Sequence, residues 1–181
     1  RNTPDYFPLL VMNTALGGQF TSRINLNLRE GKGYTYGARS AFEFRREPGP
    51  FSVQTSVHTD VTADAIREVL EELRAVRDGR PLTDSEIAHA KRTLTRGYPR
   101  GFETTDQVVH GLAQLALHDL PDDHFTRFSP SVTAVQSEDI VRVTQMHLDP
   151  LHLSTVVVGD LTVIKDGLHD IGLDAPEKIV L

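Results

Sequence analysis

Two stretches of alternating residues, joined by a turn, constrain the fold of this chain more than any other feature. One covers residues 35–46, and the other runs from Phe51 to Val57. Side chains two residues apart share a face of a β-strand, so each stretch predicts a strand with one apolar face. Glu47-Pro48-Gly49-Pro50 between them is typical of a turn. The pattern therefore predicts an antiparallel hairpin whose apolar face is covered by helices.

Helical periodicity surrounds the hairpin. Residues 5–15 and about 21–29 predict two helices before it, and four more are expected after it: Ile66–Val76, a helix opened by a capping box at Thr83, Val108–Ala116, and a helix capped by Ser137. The apolar, β-branched run Leu151–Val158 predicts a third, buried strand. The class is α+β, an antiparallel sheet with helices packed on one face. Three strands are few for so many helices, so a first strand is expected upstream of Arg1.

The composition narrows the function. The length, 181 residues, predicts one domain (1–181), with a core at about 5–160 and a C-terminal extension at 161–181. A net charge of −6 without a basic cluster argues against nucleic acid as a partner. The absence of cysteine excludes disulfides, thiolate metal sites and cysteine nucleophiles. No apolar run approaches the length of a membrane span. The compartment is not fixed by the sequence; the bacterial cytoplasm or periplasm is expected.

Compact catalytic motifs are missing from the sequence. None of the eight histidines starts His-Glu-x-x-His or His-x-x-Glu-His, so no metal ligand is predicted. Glu86 and His89 are three residues apart and could share a metal, but a solvated helix face is the favoured interpretation. The sequence also lacks a Gly-x-Ser-x-Gly elbow. The residues alone therefore indicate no catalytic centre.

One segment carries a family resemblance. It reads Leu16-Gly17-Gly18, then Ser22-Arg23-Ile24, then Leu28-Arg29-Glu30-Gly31-Lys32-Gly33, followed by Tyr34 and Tyr36. This resembles the M16 peptidases, the relatives of pitrilysin, insulin-degrading enzyme and mitochondrial processing peptidase. Weaker matches follow in the same order along the chain, at residues 5–9, 82–87, 102–105, 120–123, 132–140 and 156–160.

The resemblance implies a LuxS/MPP-like metallohydrolase fold and a division of labour. M16 proteins contain homologous domains, of which one carries His-x-x-Glu-His and its equivalent does not. This chain looks like the second, non-zinc-binding kind. It is then expected to hold no cofactor, to hydrolyse nothing alone, and to hold peptide substrate for a zinc domain in the same polypeptide or in another subunit. A homo-oligomer is compatible with this arrangement.

The resemblance also assigns site residues. The family places an arginine and a tyrosine seven residues apart, reaching across a cleft to the zinc-bound substrate, and the matching residues are Arg29 and Tyr36. Gly33 and Gly37 would let substrate backbone approach, and Tyr34 is a competitor for the tyrosine role. Without the resemblance, the favoured interpretation of Arg29 is a cation that stabilises the end of a helix, and that of Tyr36 is an aromatic residue of the kind common in strands.

Two other functions stay open at this point. Some relatives of the family have lost catalysis and serve as scaffold or assembly subunits, which this chain could also do. An unrelated α+β binding module with a coincidental similarity is the third hypothesis.

Overall fold

The computed structural model describes residues 3–173 and 177–179. Helix α1 (Tyr6–Leu16) leads into the short α2 (Arg23–Asn25), which continues as a π-helical turn (Leu26–Gly31). The hairpin follows as β1 (Thr35–Phe42) and β2 (Phe51–Val57). The α-helices that follow are α3 (Thr62–Arg74), α4 (Asp84–Gly97), α5 (Thr105–Leu117), α6 (His124–Ala134), α7 (Ser137–His147) and α8 (Leu161–Asp170). A second π-helical turn (Ala75–Gly79) extends α3, and 3₁₀ turns lie at Thr59–Val61 and Tyr98–Phe102.

Helix α1 lies at the centre of the core. Its residues Val11, Met12 and Leu16 have no exposed surface, and apolar side chains occupy most of its circumference. A helix that is apolar all round is stable only when other elements surround it. Here α4, α6 and α7 pack against it together with strand β1. The chain segment that follows α1 is therefore fixed relative to the hairpin.

The α+β class is confirmed, and β1 pairs antiparallel with β2 as expected. Phe42 lies opposite Phe51 and Ser40 opposite Val53, with an irregularity between Thr35 and Ala38. Two capping boxes open α4 at Thr83 and α5 at Thr104. The predicted cap Ser137 is wrong. Gln136 is the N-cap residue of α7, and its backbone amide donates to the Asp139 carboxylate at 2.9 Å, whereas the Ser137 hydroxyl donates to Asp84.

The predicted third strand is also wrong. Residues 153–158 form no strand within the described part of the chain, whose sheet has two strands. Val156 and Val158 are 82% and 93% exposed rather than buried. The physical reason is that β-propensity does not make a strand unless a neighbouring strand receives its peptide hydrogen bonds. The upstream strand expected before Arg1 and residues 174–176 and 180–181 of the predicted extension lie outside the described residues.

The outer edge of β1 is closed by groups that are not strands. The Ser40 amide donates to the Gly17 carbonyl at 2.9 Å, and the Asn13 amide donates to the Ser40 carbonyl at 3.2 Å. The Ala38 amide donates to Asn25 Oδ1 at 2.8 Å, while Asn25 Nδ2 donates back to the Ala38 carbonyl at 2.5 Å. Buried peptide groups must find partners, and here two asparagines and one loop carbonyl provide them.

A buried arginine ties the start of α2 to α4. Arg23 is 8% exposed, and its guanidinium donates to both carboxylate oxygens of Glu86, at 2.5 and 2.7 Å. It also donates to the carbonyls of Arg80 and Pro81. Burial raises the pKa of Glu86, but the hydrogen bonds from Arg23 and Thr83 outweigh it and bring the pKa to about 2. Glu86 is therefore anchored rather than solvated.

We expect Gly17→Ala to destabilise the fold. A methyl group at this position would lie 2.4 Å from Ser40 Oγ and 3.0 Å from the Ser40 nitrogen, so loop and strand must separate. Overpacking of this kind costs about 1–3 kcal/mol. The matched control is Gly97→Ala, where no atom lies within 4 Å and the backbone is helical, so stability should stay equal or rise. Urea denaturation of both variants checks this; equal midpoints would contradict it.

We expect Glu86→Gln to lower the free energy of unfolding at pH 7 by about 2 kcal/mol, because Arg23 keeps its burial and loses a charged partner. The native pKa of about 2 lies below the ordinary 4.5, so the ionised Glu86 stabilises the fold above pH 4.5 and this contribution is lost as pH falls towards 2. The difference in the free energy of unfolding between variant and parent should therefore narrow between pH 5 and 2. Urea denaturation at several pH values measures it, with the exposed Glu103→Gln as the control. A difference that does not change with pH would contradict the stabilising role of the Arg23–Glu86 ion pair.

Candidate functional site

The turn that carries Arg29 is π-helical. The Lys32 amide donates to the Asn27 carbonyl, five residues back, at 2.9 Å. The Tyr34 amide then donates to the Leu28 carbonyl at 2.8 Å, and Gly33 adopts φ +68° between them. Glycine enters this left-handed region without a steric penalty. Short π-helical turns are rare and are frequent at functional sites, and this one directs the chain straight into β1.

The π-helical turn is fastened to α3 by polar contacts. Lys32 Nζ lies 2.6 Å from a Glu68 carboxylate oxygen, and Asn27 Nδ2 donates to Glu68 and Glu72. The hydrogen bond from Lys32 lowers the pKa of Glu68 against the opposing effect of burial, and the same contact raises the pKa of Lys32. Arg80 neutralises the buried Glu72. The position of Arg29 is thus set from both sides of its turn.

The Arg29 side chain is held against an aromatic ring. Its guanidinium carbon lies 3.4 Å from the centroid of Phe20, and the group is paired with the neighbouring Glu30. The side chain is 22% exposed. Stacking on a ring restricts the guanidinium without discharging it. Arg29 is therefore oriented in advance and stays partly exposed.

Tyr36 is presented to solvent by strand β1. Its side chain is 96% exposed, and none of the described residues hydrogen-bonds its hydroxyl. The π-helical turn carrying Arg29 packs directly against β1. The two predicted residues therefore come from neighbouring elements, and neither is sealed in the core. They make no hydrogen bond to each other within the described residues.

The three remaining predicted residues differ from one another. Tyr34 is half-buried and packs against the hydrophobic core, so it supports the turn rather than reaching outward. Gly33 is required by its backbone angle. A methyl group at Gly37 would meet only Asn25 Oδ1 at an ordinary 3.7 Å, so local packing does not require glycine there.

Two residues at this surface were not predicted from the sequence. Phe20 supplies the ring under Arg29, and Asn25 joins the turn to β1. Both lie inside the segment that carries the family resemblance. The nine-residue spacing between Phe20 and Arg29 matches neither a helical nor a strand period, so the sequence pattern does not predict their contact. Asn25 could have been found from its helical position, since a buried asparagine must satisfy its amide.

A shallow cleft of about 590 Å³ lies beside these residues. Its walls are the loop from Gly17 to Phe20 on one side and the strands on the other, where Gly37, Ala38 and Thr55 contribute. Phe20 thus contacts both the cleft and Arg29. The cleft is shallow and open to solvent.

The titratable residues do not gather into a metal site. Among residues 3–173 and 177–179, no group of three or more His, Asp or Glu side chains is arranged to hold an ion. Glu86 is engaged by Arg23, and His89 Nε2 lies 3.0 Å from Thr21 Oγ1. These residues therefore do not fit a zinc ion. The described helices also include none with the length and apolar character that a membrane crossing requires.

Comparisons with known proteins agree with this structure. An uncharacterized zinc protease of Mycobacterium tuberculosis is 32% identical over 111 residues, which is 61% of this chain and 25% of that protein. The chain thus spans about a quarter of the length of the curated relatives it matches. The crystal structure of the peptidase M16 inactive domain from Pseudomonas fluorescens superposes with a TM-score of 0.74 at 24% identity, over 83% of this chain and 36% of that one.

A protease from Helicobacter pylori superposes with a TM-score of 0.73 at 17% identity, covering 82% of this chain and 36% of its own. At these identities the two structures establish the fold alone. The sequence profile described as the peptidase M16 inactive domain matches residues 1–94, more than half of the 181 residues. This chain therefore belongs to the peptidase M16 inactive-domain family.

Proposed function

We propose that this chain is the substrate-holding half of an M16-type zinc metallopeptidase, and that Arg29 and Tyr36 act on a peptide bound at the zinc site of a partner domain. That partner is a homologous M16 domain, in the same polypeptide or in a separate subunit. The family membership and the zinc-protease names of the relatives support this proposal. The isolated chain has no peptidase activity in this scheme.

The chemistry assigns a role to each of the two side chains. A zinc ion on the partner domain would polarise the scissile carbonyl and activate water. The Tyr36 hydroxyl donates a hydrogen bond to the carbonyl oxygen as negative charge develops there. The Arg29 guanidinium binds a second carbonyl of the substrate backbone and fixes its position. Neither group needs to change its protonation state.

The observation that carries the proposal is the contrast between two tyrosines on the same stretch. Tyr34 is half-buried and packs against the core, whereas Tyr36 is 96% exposed. A large aromatic side chain left wholly in solvent gains nothing for the stability of this chain. Exposure of this kind is expected where the phenol meets a group supplied from outside. Tyr36, and not its competitor Tyr34, therefore fits the catalytic role.

The closed edge of β1 indicates how a peptide would be held. The outward-facing peptide groups of Ala38 and Ser40 are already hydrogen-bonded to Asn25, Asn13 and Gly17. A substrate strand therefore cannot extend the sheet at this edge. In the proposed complex the peptide adds to the sheet edge of the zinc domain, and this chain contributes side chains alone.

In the assembled enzyme, we expect Tyr36→Phe to lower kcat about 100-fold while KM changes by less than about threefold. Loss of one oxyanion donor costs about 10²–10³ in kcat, and substrate binding does not depend on it. Steady-state kinetics with a quenched fluorescent peptide measures both constants. The melting temperature should not move, because the removed hydroxyl is exposed.

Tyr34→Phe is the matched control, since it removes the same atom from the other tyrosine. It should leave kcat within about threefold of the parent. A Tyr36→Phe enzyme with unchanged kcat would remove the catalytic assignment and favour the scaffold function. A larger loss in Tyr34→Phe would transfer the role to that residue.

We expect the purified 181-residue chain to contain well under one zinc ion per molecule after incubation with zinc sulfate and desalting. The described histidine and carboxylate side chains form no group able to ligate an ion. Metal analysis by mass spectrometry measures the stoichiometry. A ratio near one would contradict the assignment of zinc to the partner domain.

A further inference from the structure

Strand β1 is irregular at Tyr36. Thr35 and Ala38 each pair directly with β2, and the register shifts between them. The stretch between these two residues on β1 holds Tyr36 and Gly37, whereas the corresponding stretch of β2 holds Ser56 alone. An extra residue in one strand of an antiparallel pair is a β-bulge. The candidate site residue Tyr36 therefore lies in a bulge.

The bulge explains why Tyr36 is exposed. Side chains two residues apart in a regular strand share a face, so uninterrupted alternation would place Tyr36 on the same face as Ala38 and Ser40. Those two residues are buried, whereas Tyr36 is almost fully exposed. An extra residue shifts the alternation by one position, and such a shift moves side chains to the opposite face. Without the bulge, the phenol would therefore point towards the core.

The Thr35 hydroxyl joins the two strands across the bulge. It accepts a hydrogen bond from the Gly37 amide at 3.0 Å. It also lies 2.7 Å from the Ser56 carbonyl and 2.9 Å from the Gly37 carbonyl. A hydroxyl carries a single proton, and we assign this proton to the shorter contact, with Ser56. Thr35 thus binds one peptide group on each strand at the point where the ladder is interrupted.

The Thr55 hydroxyl completes this arrangement from β2. It lies 3.1 Å from the Gly37 carbonyl and 3.1 Å from the Thr35 hydroxyl. With the Thr35 proton directed at Ser56, the Thr55 hydroxyl donates to the Gly37 carbonyl. The amide and the carbonyl of Gly37 are then both bound by threonine side chains, one from each strand. A bulge disrupts the ladder locally, and here two hydroxyls replace ladder bonds and hold the bulge in one geometry.

These hydrogen bonds contribute little to the stability of the hairpin. All of them are exposed to solvent, and water competes for exposed peptide groups, so the net gain from each bond is small. Thr35 and Thr55 therefore determine a geometry more than they stabilise a fold. Bulges are frequent next to active sites, where they redirect a side chain.

We propose that Thr35 and Thr55 are positioning residues, which fix the bulge so that the Tyr36 hydroxyl reaches the developing oxyanion of a substrate bound at the partner domain. This inference rests on the function proposed above for Tyr36. Neither threonine contacts the substrate in this scheme. An oxyanion donor acts only within hydrogen-bond distance of its acceptor, and a displacement of about 1 Å can reduce turnover about 100-fold. Loosening the bulge therefore lowers turnover although Tyr36 itself is intact.

Steady-state kinetics of the assembled enzyme with a quenched fluorescent peptide tests the inference. Thr35→Val keeps the β-branched shape and removes the hydroxyl. It should lower kcat about 10-fold and change KM by less than about threefold, because only the transition state uses the phenol. Thr55→Val should lower kcat by a smaller factor, since it removes a bond to one strand rather than a bridge between two. Thr35→Ser retains the hydroxyl and should keep kcat within about threefold of the parent.

Thr133→Val is the matched control. It removes an exposed hydroxyl that donates to the Ser129 carbonyl within α6, at 2.8 Å, and it should leave kcat unchanged. Equal losses of kcat in Thr35→Val and Thr35→Ser would refute the inference, because the shape of the side chain rather than its hydroxyl would then matter. The melting temperature of Thr35→Val should stay close to that of the parent, since the released peptide groups are open to water.

A double-mutant cycle with Tyr36→Phe shows whether the threonines act through the phenol. Adding Thr35→Val to Tyr36→Phe should lower kcat by less than about twofold further, because no phenol hydroxyl remains to be misplaced. A further loss of about 10-fold would show that Thr35 acts independently of Tyr36, and the inference would be wrong.

The inference and the proposed function fail in different ways. If Tyr36→Phe retains full kcat, the catalytic role of Tyr36 is wrong and the inference falls with it. If Tyr36→Phe loses kcat about 100-fold while Thr35→Val and Thr55→Val stay fully active, the proposed function stands and the inference alone is overturned.

Discussion

The exposed edge of strand β1 is the constraint on which this structure depends. Ala38 and Ser40 turn their peptide groups away from β2, towards a side on which no strand lies in the part of the chain that the structure describes. Asn25, the Asn13 side-chain amide and the Gly17 carbonyl bond to these peptide groups instead. Unpaired strand edges attract other strands, so this closure also protects the sheet. The residues that close the edge belong to α1, α2 and the turn after α1, so these elements are hydrogen-bonded directly to the hairpin.

The same closure positions the candidate site. Asn25 is the last residue of α2, and the π-helical turn with Arg29 starts at the next residue. Fixing Asn25 to Ala38 therefore places the turn beside the strand that carries Tyr36. Lys32 and Asn27 hold the far side of the turn to α3. The two edges of the hairpin thus differ. The β1 edge is closed by side chains and positions Arg29 and Tyr36, whereas β2 borders a groove over the apolar side chains of α3.

Short-range patterns explain what the sequence could predict. The hairpin, α1 and the capping box at Thr83 each depend on residues close together in the sequence, so sequence patterns predict them. Helix α6 was missed because Pro130 interrupts its pattern. The third strand was predicted wrongly because the apolar, β-branched character of residues 153–158 was visible in the sequence, whereas among the described residues no strand pairs with them.

Long-range contacts explain the rest. The bonds between Asn25 and Ala38 span thirteen residues, and those between Arg23 and Glu86 span sixty-three. No periodicity encodes either pair. Arg29 and Tyr36 were nominated by the family resemblance alone, and their roles stay a proposal. What the structure adds is their environment, since no sequence pattern separates an exposed Tyr36 from a packed Tyr34.

That environment bears on how Arg29 could release its present partners. Its carboxylate neighbour Glu30 is 57% exposed, and exposed ion pairs contribute about 0–1 kcal/mol. A substrate carbonyl can displace such a partner at little cost. The Phe20 ring, by contrast, restrains the guanidinium by stacking and accepts no hydrogen bond from its N–H donors. Arg29 would therefore keep its orientation while exchanging Glu30 for substrate, so little conformational entropy is lost on binding. A guanidinium held in this way suits a residue that must position a peptide before the chemistry begins.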